Sequence, residues 1–142
     1  MMSRVLTFDD LEVGLSLKPV QENITQEGIN TYGEVAGDVT SLYVEPEWVK
    51  KKSPLCGMVA HGMTSLSFVS RLMSDNFGNA WLFGGTLSVS FKQPVKPGDT
   101  ILAKAKVIKK TVDETKKVAE FSVLCENQKR DVVITGRVTI TF

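Results

Sequence analysis

Apolar and polar residues alternate along the second half of the chain, from residue 85 to the C-terminal end. A two-residue period of this kind is typical of β-strands that bury one face. The apolar positions of four successive segments are Leu87, Val89 and Phe91, then Ile101, Ala103, Ala105 and Val107, then Phe121, Val123 and Cys125, and finally Val132, Ile134, Val138 and Ile140. Short connections between the segments predict antiparallel neighbours. One more strand is predicted near residues 5–8 or 15–20.

The first half of the chain has a helical period instead. Residues 25–37 predict a short amphipathic helix that Thr25 caps and Gly37 ends. The face that we expect to be buried comprises Ile29, Tyr32, Gly33 and Ala36. A second short helix is predicted to start at Pro46, because the fixed φ of proline suits a first helical position, and to end before Ser53.

Residues 58–73 predict a third helix, which has apolar side chains on more than one side. A surface helix needs only one apolar stripe, so we expect this helix to be enclosed by other structure. Its small residues Thr64, Ser65, Ser67 and Ser70 would let a sheet pack closely around it. Together these elements predict one α+β domain over residues 1–142, in which a curved antiparallel sheet surrounds a central helix.

Composition narrows the range of functions. The chain has 142 residues, the size of one domain, and its 17 Lys and Arg against 16 Asp and Glu leave a net charge of +1. This balance lacks the excess positive charge of proteins that grip phosphate backbones, so nucleic acid is not an expected partner. We also expect no membrane partner and a cytosolic location, because the sequence has no apolar run long enough for a signal peptide or a membrane span.

Metal binding is not expected either. Cys56, Cys125 and His61 are too few for a four-ligand zinc site of cysteines and histidines, and no CxxC spacing occurs. In a reducing compartment both cysteines are expected to be free thiols.

Two loops hold residues that secondary structure does not explain. Asp38 follows directly after the predicted stop of the first helix, and His61 and Gly62 lead into the enclosed helix. The first turn of a helix presents unpaired N–H groups and a partial positive charge of about +0.5. An anion or a developing oxyanion could therefore bind beside Gly62.

Four motifs span most of the chain: LEVG at residues 11–14, GD at residues 37–38, AHGM at residues 60–63 and FKQPVKPGDT at residues 91–100. In these motifs the chain resembles the MaoC-like, or R-specific enoyl-CoA hydratase, branch of the hot-dog-fold proteins. The resemblance implies a sheet wrapped around one long helix, and a homodimer or higher homo-oligomer that joins sheets edge to edge.

The resemblance also implies a reaction. Members of this family add water to 2-enoyl-CoA thioesters or remove it from (R)-3-hydroxyacyl-CoA thioesters, with syn geometry. The implied partner is thus a small acyl-CoA molecule, and no cofactor is implied beyond the coenzyme A of the substrate. By position, Asp38 matches the family's catalytic aspartate and Gly62 the residue whose N–H binds the thioester oxygen. His61 and Ser70 match residues beside the substrate.

One motif departs from the family pattern at three positions. The family has the motif D-x-N-P-x-H, whereas this chain has DVTSLY at residues 38–43. Tyr43 replaces the catalytic histidine, Thr40 the asparagine and Ser41 the proline. An imidazole with a pKa near 6.5 exchanges protons at neutral pH, but a phenol with a pKa near 10 is a poor base there. Tyr43 can still donate a hydrogen bond that positions water or a hydroxyl. We therefore expect a weakened or altered hydratase.

Other interpretations remain open from the sequence. The same scaffold supports thioester hydrolysis, and a chain without the histidine could be a non-catalytic acyl-CoA-binding subunit that pairs with an active relative. Asp38 could stabilise its loop through an Asx turn, and His61 could orient backbone groups. Tyr43 could be an ordinary half-buried aromatic residue, Gly62 could only permit close helix packing, and Ser70 could bond its own helix.

Overall fold

A computed structural model describes residues 4–37 and 59–142 of the protein. Its elements in chain order are a 3-10 turn at Phe8–Asp10, β1 (Val20–Asn23), α1 (Gln26–Ala36), α2 (Gly62–Phe77), α3 (Asn79–Gly84), β2 (Gly85–Phe91), β3 (Thr100–Asp113), β4 (Lys116–Glu126) and β5 (Val132–Thr141). The helix predicted between Pro46 and Ser53 lies outside the described residues.

The five strands form one antiparallel sheet in the order β1-β3-β4-β5-β2. The central helix α2 packs against β1, β3 and β4. Alternate side chains of the long strands face this helix, and Ile101, Ala103, Ala105 and Val107 of β3 are all buried, as the two-residue period predicts. The predicted α+β class, with an antiparallel sheet around one long helix, is confirmed.

The first predicted helix is also confirmed. The Thr25 hydroxyl accepts a hydrogen bond from the Gly28 N–H at 3.0 Å, and α1 ends at Gly37, whose φ of 77° lies in the left-handed region. Ile29 is buried within the core. Ala36 is exposed, however, so the buried face of α1 is shorter than the pattern predicts.

The position of β2 corrects one prediction. A short connection between β2 and β3 predicted that they would be antiparallel neighbours, but β2 pairs with β5 and β3 pairs with β1 and β4. Residues 92–99 instead cross from β2 at one edge of the sheet to β3, the second strand from the opposite edge, and we call them the crossover. The Gly98 N–H donates to the Ile24 carbonyl at 2.8 Å and fixes the end of the crossover next to β1.

Several boundaries also differ from the predicted ones. The N-terminal strand begins only at Val20, and the turn predicted over residues 109–117 contains just Glu114 and Thr115, because β3 and β4 continue to pair up to Asp113 and Lys116. The helix expected from residue 58 begins at Gly62 and continues to Phe77. The sequence pattern does not predict helix α3. This helix has only six residues, none of them buried, so it shows no apolar stripe at the helical period.

The enclosure of α2 is incomplete. Its buried residues are Ser65, Val69, Leu72, Met73 and Phe77. A second stripe, formed by Met63, Ser67, Arg71 and Asp75, is exposed in the single chain. None of the helices in residues 4–37 and 59–142 has the combined length and apolar character needed to span a bilayer.

Candidate active site

The start of α2 is held against the crossover. The Ala60 N–H donates to the Val95 carbonyl at 2.7 Å, so the three residues that lead into the helix follow the crossover closely. His61 is the N-cap and Gly62 the first helical residue. The N–H of a first helical residue has no acceptor within its own helix and lies at the positive end of the helix dipole. The Gly62 N–H is thus a backbone donor suited to an anion or a polarised carbonyl.

His61 packs against the first helix. Its side chain is 4% exposed, and its ring centroid lies 4.8 Å from that of Tyr32 on α1, with the ring planes tilted by 50°. This contact joins α1 to the start of α2 within a few residues of Gly37. The structure gives His61 a packing role, and its contact with a substrate stays a prediction.

A groove of about 350 Å³ opens beside Gly62. Its apolar lining consists of Val59, Ala60, Phe91, Pro94, Val95 and Val133, and its polar lining of Gly62, Ser65, Lys92 and Gln93. The crossover contributes four of these residues, Lys92, Gln93, Pro94 and Val95. The groove therefore depends on the crossover, which exists because β2 lies at the edge of the sheet and not beside β3. Apolar walls with a few convergent polar groups are the usual composition of a small-molecule site.

Gly62 has a local steric reason to be glycine. A Cβ atom at this position would lie 3.1 Å from Cε1 of Phe91, which is closer than ordinary van der Waals contact. The absence of a side chain lets the Phe91 ring lie over the helix start. The same absence leaves the backbone at residue 62 open to the groove.

Of the remaining predicted site residues, only Ser70 lies within the described part of the chain. Asp38, Thr40 and Tyr43 lie outside the described residues, so their roles stay predictions. Ser70 is two turns further along α2 than Gly62, and its hydroxyl accepts a hydrogen bond from the Trp81 indole N–H at 3.2 Å. In the described residues Ser70 therefore contacts α3, and the residues that line the groove do not include it.

Sequence reasoning assigns only Gly62 among the groove residues to the site, and Phe91 and Ser65 are two that it misses. Phe91 stands at the head of the motif FKQPVKPGDT, but only the structure places its ring over Gly62. Ser65 was treated as a small residue that permits close packing. No sequence signal separates it from the other hydroxyl residues of α2, and its position in the groove emerges only from the packing of the helix against the crossover.

Cys125 is a free cysteine buried beneath the sheet, and burial raises the pKa of its thiol to about 12. A thiol of that pKa carries almost no thiolate at neutral pH and is not a nucleophile. Cys56 lies outside the described residues. Within residues 4–37 and 59–142, no group of three or more histidine, cysteine, aspartate or glutamate side chains is arranged to hold a metal ion.

A larger cleft of about 670 Å³ lies near the other end of α2. Three of its charged residues already have partners: Arg71 forms ion pairs with Glu22 and with Asp75, and Arg4 pairs with Asp10 at 3.1 Å. None of the predicted site residues lines it. The groove beside Gly62 is therefore the stronger candidate for the active site.

The chain is similar in sequence to a known domain family and to known proteins. The family model of the MaoC-like domain matches residues 12–128. The chain is 32% identical, over 130 residues, to the mitochondrial 3-hydroxyacyl-(acyl-carrier-protein) dehydratase of Arabidopsis thaliana, a match that covers 91% of this chain and 76% of that protein. It is 26% identical to the (R)-specific enoyl-CoA hydratase of Rhodospirillum rubrum, over 94% of this chain and 89% of that protein.

The architecture is also shared with solved structures. A monoamine oxidase regulatory protein from Archaeoglobus superimposes with a TM-score of 0.81 at 25% identity, and the match covers 100% of this chain and 97% of that chain. The curved antiparallel sheet around a central helix is thus the hot-dog fold, as the motifs predicted.

Proposed function

This chain belongs to the MaoC-like domain family, and we propose that it is a hydratase or dehydratase that acts on acyl-CoA thioesters. It adds water to a 2-enoyl-CoA and removes water from an (R)-3-hydroxyacyl-CoA. The observation that carries the proposal is the position of Gly62: the first residue of a 16-residue helix lines a groove with apolar walls. The names of its relatives, a dehydratase and a hydratase, support the same reaction class.

The groove accounts for the binding of a thioester substrate. Its apolar walls suit an acyl chain, and the Gly62 N–H donates a hydrogen bond to the thioester carbonyl oxygen. This bond strengthens as negative charge develops on that oxygen, so it stabilises the transition state more than the bound substrate. No cofactor is needed, because the coenzyme A is part of the substrate.

Asp38 supplies the proton transfer in this proposal. Its carboxylate takes a proton from water while the water oxygen bonds to C3 of the enoyl group, and the electrons of the double bond move toward the thioester oxygen. The proton then passes to C2, which completes the addition of water and restores the carboxylate. Dehydration is the same sequence in reverse. A carboxylate with an ordinary pKa near 3.9 is a weak base at neutral pH, so a raised pKa would help it.

Tyr43 replaces the imidazole that the family uses at this point. In the proposal it positions water or the leaving hydroxyl by a hydrogen bond and transfers no proton, because a phenol with the ordinary pKa near 10 stays protonated at neutral pH. Loss of a general acid or base commonly lowers the rate by about 10²–10⁴-fold. The enzyme is therefore slower than a relative with the histidine, or it acts on a substrate whose reaction depends less on general acid–base catalysis.

The proposal includes a homodimer that joins β2 edges. In the described residues β2 pairs only with β5, which leaves its outer edge open. Leu82 and Phe83 of α3 lie close to this edge in sequence and are 65% and 87% exposed. An open edge beside exposed apolar side chains favours pairing with a second copy.

The proposal also includes a cytosolic location, which is compatible with the free thiol of Cys125.

One assay separates the three readings of the site. Purified protein is mixed with crotonyl-CoA and with longer 2-enoyl-CoA thioesters, and the absorbance of the conjugated thioester is followed together with the release of free thiol. We expect loss of absorbance without thiol release. Thiol release would instead identify a thioesterase, and binding without either change would identify a non-catalytic acyl-CoA-binding subunit.

A further inference from the structure

Three serines of α2 differ in what their hydroxyl groups bond. The exposed Ser67 donates to the Thr64 carbonyl at 2.5 Å, and the half-buried Ser70 accepts from Trp81 at 3.2 Å. Ser65 is the most buried of the three, with 1% of its surface exposed. Within the part of the chain that the structure describes, its Oγ atom has no hydrogen-bond partner.

An isolated hydroxyl inside a protein is costly. Burying one without a partner costs about 1–3 kcal/mol, and serines inside helices usually avoid this cost by bonding a carbonyl one turn earlier. For Ser65 the carbonyl four residues earlier is that of His61, which accepts the Thr64 N–H at 3.0 Å. Packing alone would be served as well by alanine. The hydroxyl thus needs an explanation other than filling space.

The location of Ser65 supplies that explanation. It lines the groove together with Gly62, and residues three apart on a helix lie on the same face. The groove lining also includes the apolar residues Phe91, Val95 and Val133. Gly62 and Ser65 therefore line the groove from one side of the same helix, and the Ser65 hydroxyl is enclosed there rather than open to solvent.

We propose that Ser65 is a substrate-binding residue whose hydroxyl donates a hydrogen bond to the carbonyl oxygen of the bound thioester, alongside the Gly62 N–H. This inference rests on the proposed function for the identity of the ligand, an acyl-CoA. A carbonyl oxygen has two lone pairs and accepts both donors. Within the described residues the hydroxyl has no partner, and in this proposal it gains one when the thioester binds.

The test uses two ligands that differ only at the carbonyl. Butyryl-CoA is a saturated thioester that cannot be hydrated, and S-butyl-CoA is the matching thioether without the carbonyl oxygen. Calorimetric titration measures the dissociation constant of each for the wild type, Ser65→Ala and the matched control Ser67→Ala. We expect Ser65→Ala to weaken the binding of butyryl-CoA by roughly tenfold and to leave that of S-butyl-CoA unchanged. Ser67→Ala should leave both constants unchanged.

Thermal unfolding supplies a second readout. Because Ser65→Ala removes a buried hydroxyl without a partner, its melting temperature should equal or exceed that of the wild type. A lower melting temperature would show that the hydroxyl is structural and would overturn the inference. So would equal weakening of both ligands, unchanged binding of butyryl-CoA, or a wild type that binds neither ligand.

The inference and the proposed function can fail separately. If Ser65→Ala loses affinity only for the thioester while the wild type leaves crotonyl-CoA unhydrated, the serine binds a carbonyl in a protein that is not a hydratase. If the wild type hydrates crotonyl-CoA and Ser65→Ala binds butyryl-CoA normally, the reaction is right and the role of Ser65 is wrong.

Discussion

The two ends of α2 differ in what surrounds them. At the C-terminal end Phe77 is buried against Phe121 and Phe142, whose ring centroids lie 5.2 and 5.8 Å from its own. At the N-terminal end Gly62 and Ser65 line a groove. Aromatic packing fills the core-facing side of the first region. The second region keeps a backbone donor and a hydroxyl available to a ligand. The contrast teaches that one helix divides stability and chemistry between its two ends, so variants at the two ends should affect different measurements.

The largest effect on stability is expected from Phe77→Ala. Removal of a fully buried phenylalanine should lower the free energy of unfolding by about 3–5 kcal/mol, through lost apolar burial and the cavity that remains. Urea denaturation measures this change. Val35→Ala is the control, because Val35 is 86% exposed and its truncation should change stability by less than about 0.5 kcal/mol. A loss below about 1 kcal/mol for Phe77→Ala would show that this end of the helix is not the anchor.

The next largest effect should come from Tyr43→His, which restores an imidazole to the motif beside Asp38. An imidazole exchanges protons near neutral pH, so we expect the hydration rate of crotonyl-CoA to rise by at least about tenfold. The rate should rise with little change in melting temperature. An unchanged or lower rate would indicate that the site has been shaped for a reaction in which the imidazole has no part.

Gly62→Ala should affect chemistry more than stability. The new Cβ would meet the Phe91 ring at 3.1 Å, and because that ring is 53% exposed, it can shift by the few tenths of an ångström required. We expect kcat/KM to fall by about tenfold, since the ring then narrows the groove and misplaces the substrate. Met63→Ala, one residue later and outside the groove, is the control. Equal losses for both variants would argue against a specific role for residue 62.

The smallest effect concerns the turn at Phe8–Asp10, which follows Leu6, whose N–H donates to the Asn76 carbonyl at 2.8 Å near the C-terminal end of α2. The Thr7 N–H and hydroxyl, followed by Arg4, bond the Asp10 carboxylate and hold its pKa below the ordinary value of 3.8. A lowered folded-state pKa means that this stabilisation is fully present above the unfolded value and is lost as the pH falls through the folded value. Asp10→Asn should therefore lower the melting temperature slightly at pH 7.

This difference should shrink as the pH falls below 3.8, because the wild-type carboxylate is then protonated as well. Melting curves of both proteins measure it between about pH 2.5 and about pH 7, from roughly one unit below the ordinary aspartate pKa to roughly three units above it. A difference that does not change with pH would show that the charge of Asp10 has no part in the turn.

Much of the fold follows from sequence pattern. The two-residue period predicts four strands, and Thr25 and Gly37 predict the ends of α1, because these features depend on local chemistry and on which face is buried. Pattern could not place β2 at the far edge of the sheet. Alternation shows which face of a strand is buried, but it carries no information about which strand lies beside it.

The candidate active site is less predictable from the sequence for the same reason. Gly62 is found by its motif, but the groove next to it depends on the crossover, whose Val95 carbonyl is bonded by the N–H of Ala60. Ser65 resembles any small polar residue of a helix until its burial and surroundings are known. The roles of Asp38 and Tyr43 rest on motif position, and kinetics must test them.

The most direct test of the account compares hydration of crotonyl-CoA by the wild type and by Asp38→Asn. An amide has the shape of the carboxylate but cannot take a proton from water. If Asp38 is the base beside the Gly62 N–H, the variant should keep its melting temperature and lose about 10²–10⁴-fold in rate. An Asp38→Asn protein that hydrates crotonyl-CoA as fast as the wild type would contradict the account.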